Sequence, residues 1–566
     1  MNLRVLIAYS MASTLTQTTL DYLNAFKDYL GGNVDYLHVT HDSQIRVSLS
    51  RYDAVILNYC ARLCVEGYVS ADFFEQLKNF EGLKILAVQD EYNRTNVLKR
   101  AIREIQFHVV LTCVPQDSLE YVYPRSEFPE VRFETVFTGY VPESLSVAKT
   151  QLKPLRERPI VVGYRGRDIG GFYGRLGFDK YEIGRRMKEI CGQRGIPHDI
   201  ATDEESRIYG PTWFDFVGSC RAMLGSESGS NVFDFDGSLE RQFGDLEREL
   251  GHRPSYSEFL PVVAQRDSEI SMGQISPRVF ECALMRTPMV LFRGRYSDAI
   301  EPNIHYIMLE KDFSNVDEVL SRLDRFDDLE AMTERTYDHL VASGRFSYQA
   351  YMSRISGIID EEIGSRSRTR ANTGAPEMVL NSEIPHWLLQ KPTDKPQPTS
   401  LFQLIEKKKL FSVYVNEIMR LQELEMGTLV NYRLASDQLL KDLPAGGEGF
   451  SAAGEFGRLL DDVELQFRTF AEERSGMSEL ASRFGDITNL SEMCQLLEVY
   501  ERQARTLMAI YDKLNSTWNE LVTQLRVSGD HVAMAKYSML RTIWSKLPLS
   551  TREFFLPFIN RILTKR

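Results

Sequence analysis

The sequence predicts two doubly wound, Rossmann-like α/β units in tandem, over residues 1–145 and 155–363, then a linker over 364–400 and an all-α region over 401–566. Three observations predict this. Short continuous runs of Val, Ile and Leu alternate with helical stretches from the N-terminus onward, and a strand apolar on both faces belongs to a parallel sheet covered on both sides. The alternation starts again at Pro159-Ile-Val-Val-Gly-Tyr164, after a break near residues 143–158. Beyond residue 401 the apolar residues fall only at helical spacing.

In the first unit Arg4–Tyr9, Val34–Val39, Ala54–Tyr59, Lys84–Gln89 and Val109–Cys113 read as strands, with helices such as Thr18–Leu30 and Ala71–Phe80 between them. The first strand-to-helix loop, Ser10-Met-Ala-Ser-Thr-Leu-Thr16, has no G-x-G-x-x-G pattern, so no dinucleotide cofactor is indicated. In the second unit the strands continue with His198–Thr202, Ala222–Gly225, Met289–Phe292 and Tyr306–Leu309. Its helices fall at 179–194, 211–219, 277–286, 315–325 and 327–342. Two such units define a cleft, and ligands of such sheets sit at the carboxyl ends of the strands.

Residues 364–400 are rich in Ser, Arg, Thr and Pro and read as a linker, with a short apolar patch at Ile384–Leu389. Beyond them Leu404, Leu410, Val413, Ile418 and Leu421, and then Leu496, Val499, Leu507, Ile510 and Leu514, mark a helical bundle or short coiled coil. This region is a candidate surface for a homodimer or a partner protein. The final segment, Phe554–Arg566, is apolar with a basic end. It packs on its own bundle or lies on an anionic membrane surface.

At 566 residues the chain exceeds a single core. Hydrophobic content of 43% and charged content of 26% are those of a globular protein. A net charge of -12 argues against a nucleic-acid binder but allows one phosphorylated small molecule in a local basic pocket. No apolar run reaches the roughly 18 residues that span a bilayer. The N-terminal Met-Asn-Leu-Arg-Val-Leu-Ile-Ala lacks the features of a signal peptide, so a cytoplasmic location is expected. Seven irregularly spaced cysteines read as reduced thiols, and Cys60 with Cys64 lacks the further ligands a metal site needs.

The most informative stretch is Ser276-Pro-Arg-Val-Phe-Glu-Cys-Ala-Leu-Met-Arg-Thr-Pro-Met-Val290. It predicts a helix with Ser276 as cap and Pro277 at its first position, feeding a buried strand. A helix start aims free N–H groups at an anion, and Arg278 stands beside them. Glu281 lies on the same face one turn on and offers oxygens to a ribose hydroxyl. The plain alternative is an Arg–Glu pair on the rim of an ordinary αβ unit. Gly163-Tyr-Arg-Gly-Arg167 is a second candidate: Gly163 allows close approach, and Arg165 and Arg167 suit a diphosphate. Positive charge there would stabilise a departing diphosphate.

Asp90 and Glu91 end the fourth strand and are candidate general bases, or else an acidic cap on the next helix. Gly225–Gly237 follows a strand and is rich in small polar residues. Glu227 in it is a further candidate base. Asp234-Phe-Asp236 is a possible but disfavoured Mg²⁺ or Mn²⁺ pair, and no metal or other cofactor is expected. His305 is a candidate phosphate or hydroxyl contact, though a lone His is more often structural.

Taken together, the paired units, the Gly163–Arg167 loop and Arg278-Val-Phe-Glu281 before Thr-Pro resemble a GT-B glycosyltransferase, in its group 1, spore-maturation-like branch. The resemblance covers roughly residues 1–363. It implies transfer of a sugar from a nucleotide donor, bound mainly by the second unit, to a glycan, protein or lipid-linked acceptor bound by the first. Many such proteins carry two acidic residues with seven between them at the donor site. Glu281 matches the second, but Gly273 stands at the first. Two other readings stay open: a nucleotide-sugar epimerase of the same architecture, and a non-catalytic scaffold that uses its helices for assembly.

Overall fold

A computed structural model of the chain describes residues 3–10, 17–40, 43, 45, 47–65, 68–142, 152–203, 206, 208, 211–267, 269–365, 429–441, 443, 450–466, 506, 509–510, 513–514 and 516–521. The linker from residue 366 on, most of the Ser10–Thr16 loop and the Phe554–Arg566 tail lie outside these residues. Among the described residues no helix is long and apolar enough to cross a membrane.

Two parallel sheets carry the fold. The first is built from β1 (Arg4–Tyr9), α1 (Gln17–Tyr29), β2 (Asn33–His38), β3 (Ala54–Leu57), α2 (Ala71–Lys78), β4 (Leu83–Ala87), α3 (Thr95–Ile105), β5 (Val109–Thr112), α4 (Leu119–Val122) and β6 (Arg132–Thr135), with strand order β2-β1-β3-β4-β5-β6. The second is built from β7 (Ile160–Arg165), α5 (Gly174–Arg194), β8 (His198–Ala201), α6 (Pro211–Ser219), β9 (Cys220–Gly225), α7 (Ser238–Leu250), α8 (Tyr256–Val263), α9 (Pro277–Leu284), β10 (Met289–Phe292), β11 (Ile307–Leu309), α10 (Val316–Arg322) and α11 (Phe326–Tyr337), with order β11-β10-β9-β7-β8, and α12 (Tyr348–Ser365) comes after it in the chain. The central strands of each sheet are buried on both faces, which is why they read as unbroken apolar runs.

Local chemistry sets the helix ends. Ser70 caps α2 by accepting from Phe73 N at 3.2 Å. Ser255 and Glu258 form a capping box on α8. Gly195, left-handed at φ 63°, closes the 21-residue α5.

Two packing features were not expected. α12 follows the second unit in sequence but buries Tyr351, Met352, Ile355, Ile358 and Ile359 against Val5, Ile7, Ile56, Ile85 and Val109 of the first sheet. The helical stretch 429–441 also docks on the first unit. Leu429, Tyr432, Leu434 and Leu439 share one core with Leu37, Val39, Leu49 and Tyr52. Each such side chain contributes roughly 1.5–3 kcal/mol on burial. Asn431 completes the contact at the edge strand β2, accepting from His38 N at 3.2 Å and donating to His38 O at 3.1 Å.

A buried arginine ties down the base of the second unit. Arg158, 2% exposed, donates to Lys153 O, Cys220 O, Met285 O and Thr287 Oγ1 between 2.7 and 3.2 Å. Its hydrogen bonds go to neutral oxygens, and burial pushes its guanidinium down to about 10.

Candidate functional site

The chain leaves β7 to one side for β8 and returns on the other for β9, so the second sheet switches direction between β7 and β9. A crevice opens at the carboxyl ends of strands at such a point. In this sheet the loop after β7 and the loop after β9 leave from those ends, and the latter leads by way of α7 and α8 to the start of α9.

Lys180, in the second turn of α5, is the centre of the charge at this site. It is half-buried, and its carbonyl accepts from Tyr164 hydroxyl at 2.6 Å. Burial pushes its ammonium down to about 8; Arg278 and Arg167 act in the same direction, and Asp90 of the first unit opposes them. Three cations of the second unit and one carboxylate of the first are therefore within electrostatic reach. Arg278 donates to Arg165 O at 2.5 Å and lies over the rings of Tyr164 and Trp213, at 5.0 and 5.5 Å. Its Nε is buried without a hydrogen-bond partner. Arg167 is exposed on the loop after β7. Asp90 is half-exposed, accepts from Tyr92 hydroxyl at 2.6 Å and has Arg62 3.8 Å away.

Several expectations need correction. Arg165 points away from the crevice. Its guanidinium donates to Ser206 O, Tyr164 O and Asp199, and it covers the Phe216 ring at 4.3 Å. Gly163 lies inside β7, where an added Cβ would stand 2.3 Å from Cys220 Sγ; strand packing demands this glycine, not a ligand. Glu91 turns into the first unit and accepts from Thr112 Oγ1, Cys113 N and Tyr123 hydroxyl at 2.6, 2.7 and 2.5 Å. Burial pushes its carboxyl up to about 7. His305 precedes β11, at the amino end of the sheet, opposite the crevice. Its Nδ1 accepts from Glu301 N at 3.0 Å, and its ring stacks on His339.

The remaining carboxylate candidates already have partners. Glu281 accepts from Trp213 Nε1 at 2.8 Å and faces Thr18 Oγ1 of the first unit at 3.5 Å; burial pushes its carboxyl up. Ser276 caps α9 in extended backbone, with no bond from its side chain. Pro277 presses on Gly139, where an added Cβ would lie 2.9 Å from the proline ring. Glu227 accepts from Arg295 N at 2.7 Å and has Lys311 Nζ 3.9 Å away. A Cβ on Gly273 would stand 2.9 Å from Glu227 Oε1, so the space for a side chain at 273 is already taken by this carboxylate. Asp234 and Asp236 both serve the start of α7. Asp234 takes the N–H groups of Leu239 and Glu240, and Asp236 takes that of Ser238. Among the described residues no group of three or more His, Cys, Asp or Glu could hold a metal ion.

No protein-family model matches the chain, and no curated protein matches it. Solved structures similar to it include an alpha-glucosyltransferase in complex with UDP and a 13-mer DNA containing an HMU base. That match has 12% identity, covers 63% of this chain and 99% of that one, and has a TM-score of 0.39. HepE from Anabaena in complex with UDP matches at 10% identity over 63% of this chain and 100% of its own, with a TM-score of 0.34. An alpha,alpha-trehalose 6-phosphate synthase from Burkholderia multivorans matches at 9% identity over 66% and 100%, with a TM-score of 0.33. Likeness at this level carries no functional weight.

Proposed function

We propose that this chain transfers a glycosyl group from a nucleotide-sugar donor, held mainly by the second unit, to the hydroxyl of a glycan, protein or lipid-linked acceptor presented by the first. The reading is carried by Arg278, whose buried Nε lacks a partner beside Tyr164 and Trp213, together with Lys180, which has Arg167, Arg278 and Asp90 of the first unit within electrostatic reach. Breaking the sugar–phosphate bond leaves charge on a diphosphate, and fixed cations in a partly dry site stabilise it. The unpartnered Arg278 Nε is a donor whose desolvation a phosphate oxygen would relieve. Asp90 is the base that takes the acceptor's proton as the new bond forms. Asp234 and Asp236, engaged as helix caps, have no part in this reading as metal ligands.

A scaffold without activity is the second reading, favoured by Arg165 and Glu281 being bound within the protein. Incubating the full chain with UDP-, GDP- and TDP-sugars separates the cases. Release of nucleotide supports transfer, an altered sugar on intact nucleotide supports epimerisation, and no binding at millimolar donor supports the scaffold.

A further inference from the structure

The excursion between β9 and α9 leaves the second unit and touches the first before returning. Residues 232–237 run beside residues 92–96: Asp234 N donates to Tyr92 O and Asn96 N donates to Phe235 O, both at 2.8 Å. This makes a parallel bridge between Asn93 and Asp234. Phe233 is buried with its ring 6.2 Å from that of Tyr92, and Phe235 lies 5.8 Å from Tyr121. Arg94 reaches Glu240 on α7 with Nε at 3.1 Å and a terminal nitrogen at 3.0 Å. Arg94 itself is left-handed at φ 48°, a conformation disfavoured for a non-glycine residue.

Asp234 faces both ways across this strap. Its main chain binds Tyr92, and its carboxylate holds the N–H groups of Leu239 and Glu240 at 3.1 and 2.9 Å. Tyr92 passes the constraint on: its hydroxyl donates to Asp90 Oδ1 at 2.6 Å. The Tyr92 ring is buried and meets Tyr173 edge-on at 5.3 Å, while Asn93 Nδ2 donates to the Tyr173 hydroxyl at 3.2 Å. The phenol therefore cannot swing away from the carboxylate without breaking the packing around it.

We propose that this strap is a positioning device, in which Asp234 and Tyr92 fix where the Asp90 carboxylate stands at the end of the first sheet. The inference rests on reading Asp90 as the base. A carboxylate at a loop end samples several rotamers unless neighbours restrict it, and a hydrogen bond to an ionised oxygen is both strong and directional. The second unit thus sets the geometry of a group that belongs to the first.

The test uses the full chain and nucleotide release from the same donor panel. Asp90→Asn comes first and is expected to abolish turnover. Tyr92→Phe removes one oxygen. It is expected to lower kcat at least tenfold and leave the donor KM unchanged. Asp234→Ala is expected to lower kcat, with Asp234→Asn, which keeps an acceptor for α7, restoring part of it. If Asp90→Asn retains turnover, or the wild type turns over no donor, the base assignment fails and the strap's role fails with it. If Asp90→Asn is inactive while Tyr92→Phe matches wild type in kcat, the positioning role alone is overturned. Should Tyr92→Phe not fold, the Asp234 pair decides: equal activity in both variants overturns the inference.

Discussion

Replacing Lys180 by Met probes the proposed diphosphate seat most directly. The stem keeps its packing while the charge goes. A hydrogen bond between charged groups in such a setting contributes about 1.5–3 kcal/mol, so donor affinity should fall roughly 10- to 150-fold. The wild-type protein carries a second signature. Its ammonium is lowered to about 8 by burial and by its arginine neighbours. Only the charged form binds a phosphate, so affinity should be level below pH 7 and should decline above pH 8, approaching tenfold per pH unit. A nucleotide-sugar is the right probe because its phosphates stay fully charged throughout this range. Isothermal titration at pH 7, 8 and 9 on both proteins gives the answer. Affinity in the variant within twofold of wild type, together with a flat wild-type profile, would refute the assignment.

Three further outcomes follow from described contacts. Glu281→Ala should weaken donor binding only a few-fold, since its oxygens already face Trp213 and Thr18, but should lower Tm by removing a link between the units; unchanged Tm and unchanged affinity would remove both roles. Burial raises the Glu91 carboxyl from 4.5 to about 7, so the folded state favours the protonated form. Its contribution is full below about pH 4.5 and is lost as pH rises through 7, by roughly 3 kcal/mol at most; denaturant titrations at pH 5 and 8 should show that loss in wild type and not in Glu91→Gln. Ending the chain at residue 395 removes the helices covering Leu37, Leu49 and Tyr52. The fragment should unfold at lower temperature and bind apolar dyes, and an unchanged Tm would show that this packing adds no stability.

Much of the fold was legible because strand and helix signals here are local. Met289–Phe292 is an unbroken apolar run after a proline, and 211–219 matches its helix residue for residue. The features that local signals do not carry are polar or distant. β6 reads Arg-Phe-Glu-Thr, half-buried throughout, and gains support from an ion pair between Arg132 and Glu361 on α12, far along the chain. The capping box at Ser255 was a usable signal for α8. At the site, Arg278 could be read from its helix start, whereas Lys180 carries no motif and is marked only by what folds around it. Arg165 shows the converse. Its partner Asp199 comes from the neighbouring strand, and only pairing across the sheet turns the guanidinium away.

The amide of Asn431 stands where an additional strand would otherwise hydrogen-bond to His38. An open sheet margin is a template for foreign β-structure. A single asparagine, delivered by a distant helix, occupies this point on the margin, so a chain lacking residues 429–441 would expose it. Such a chain is expected to aggregate more as its concentration rises, and equal behaviour would show that the contact has no such consequence.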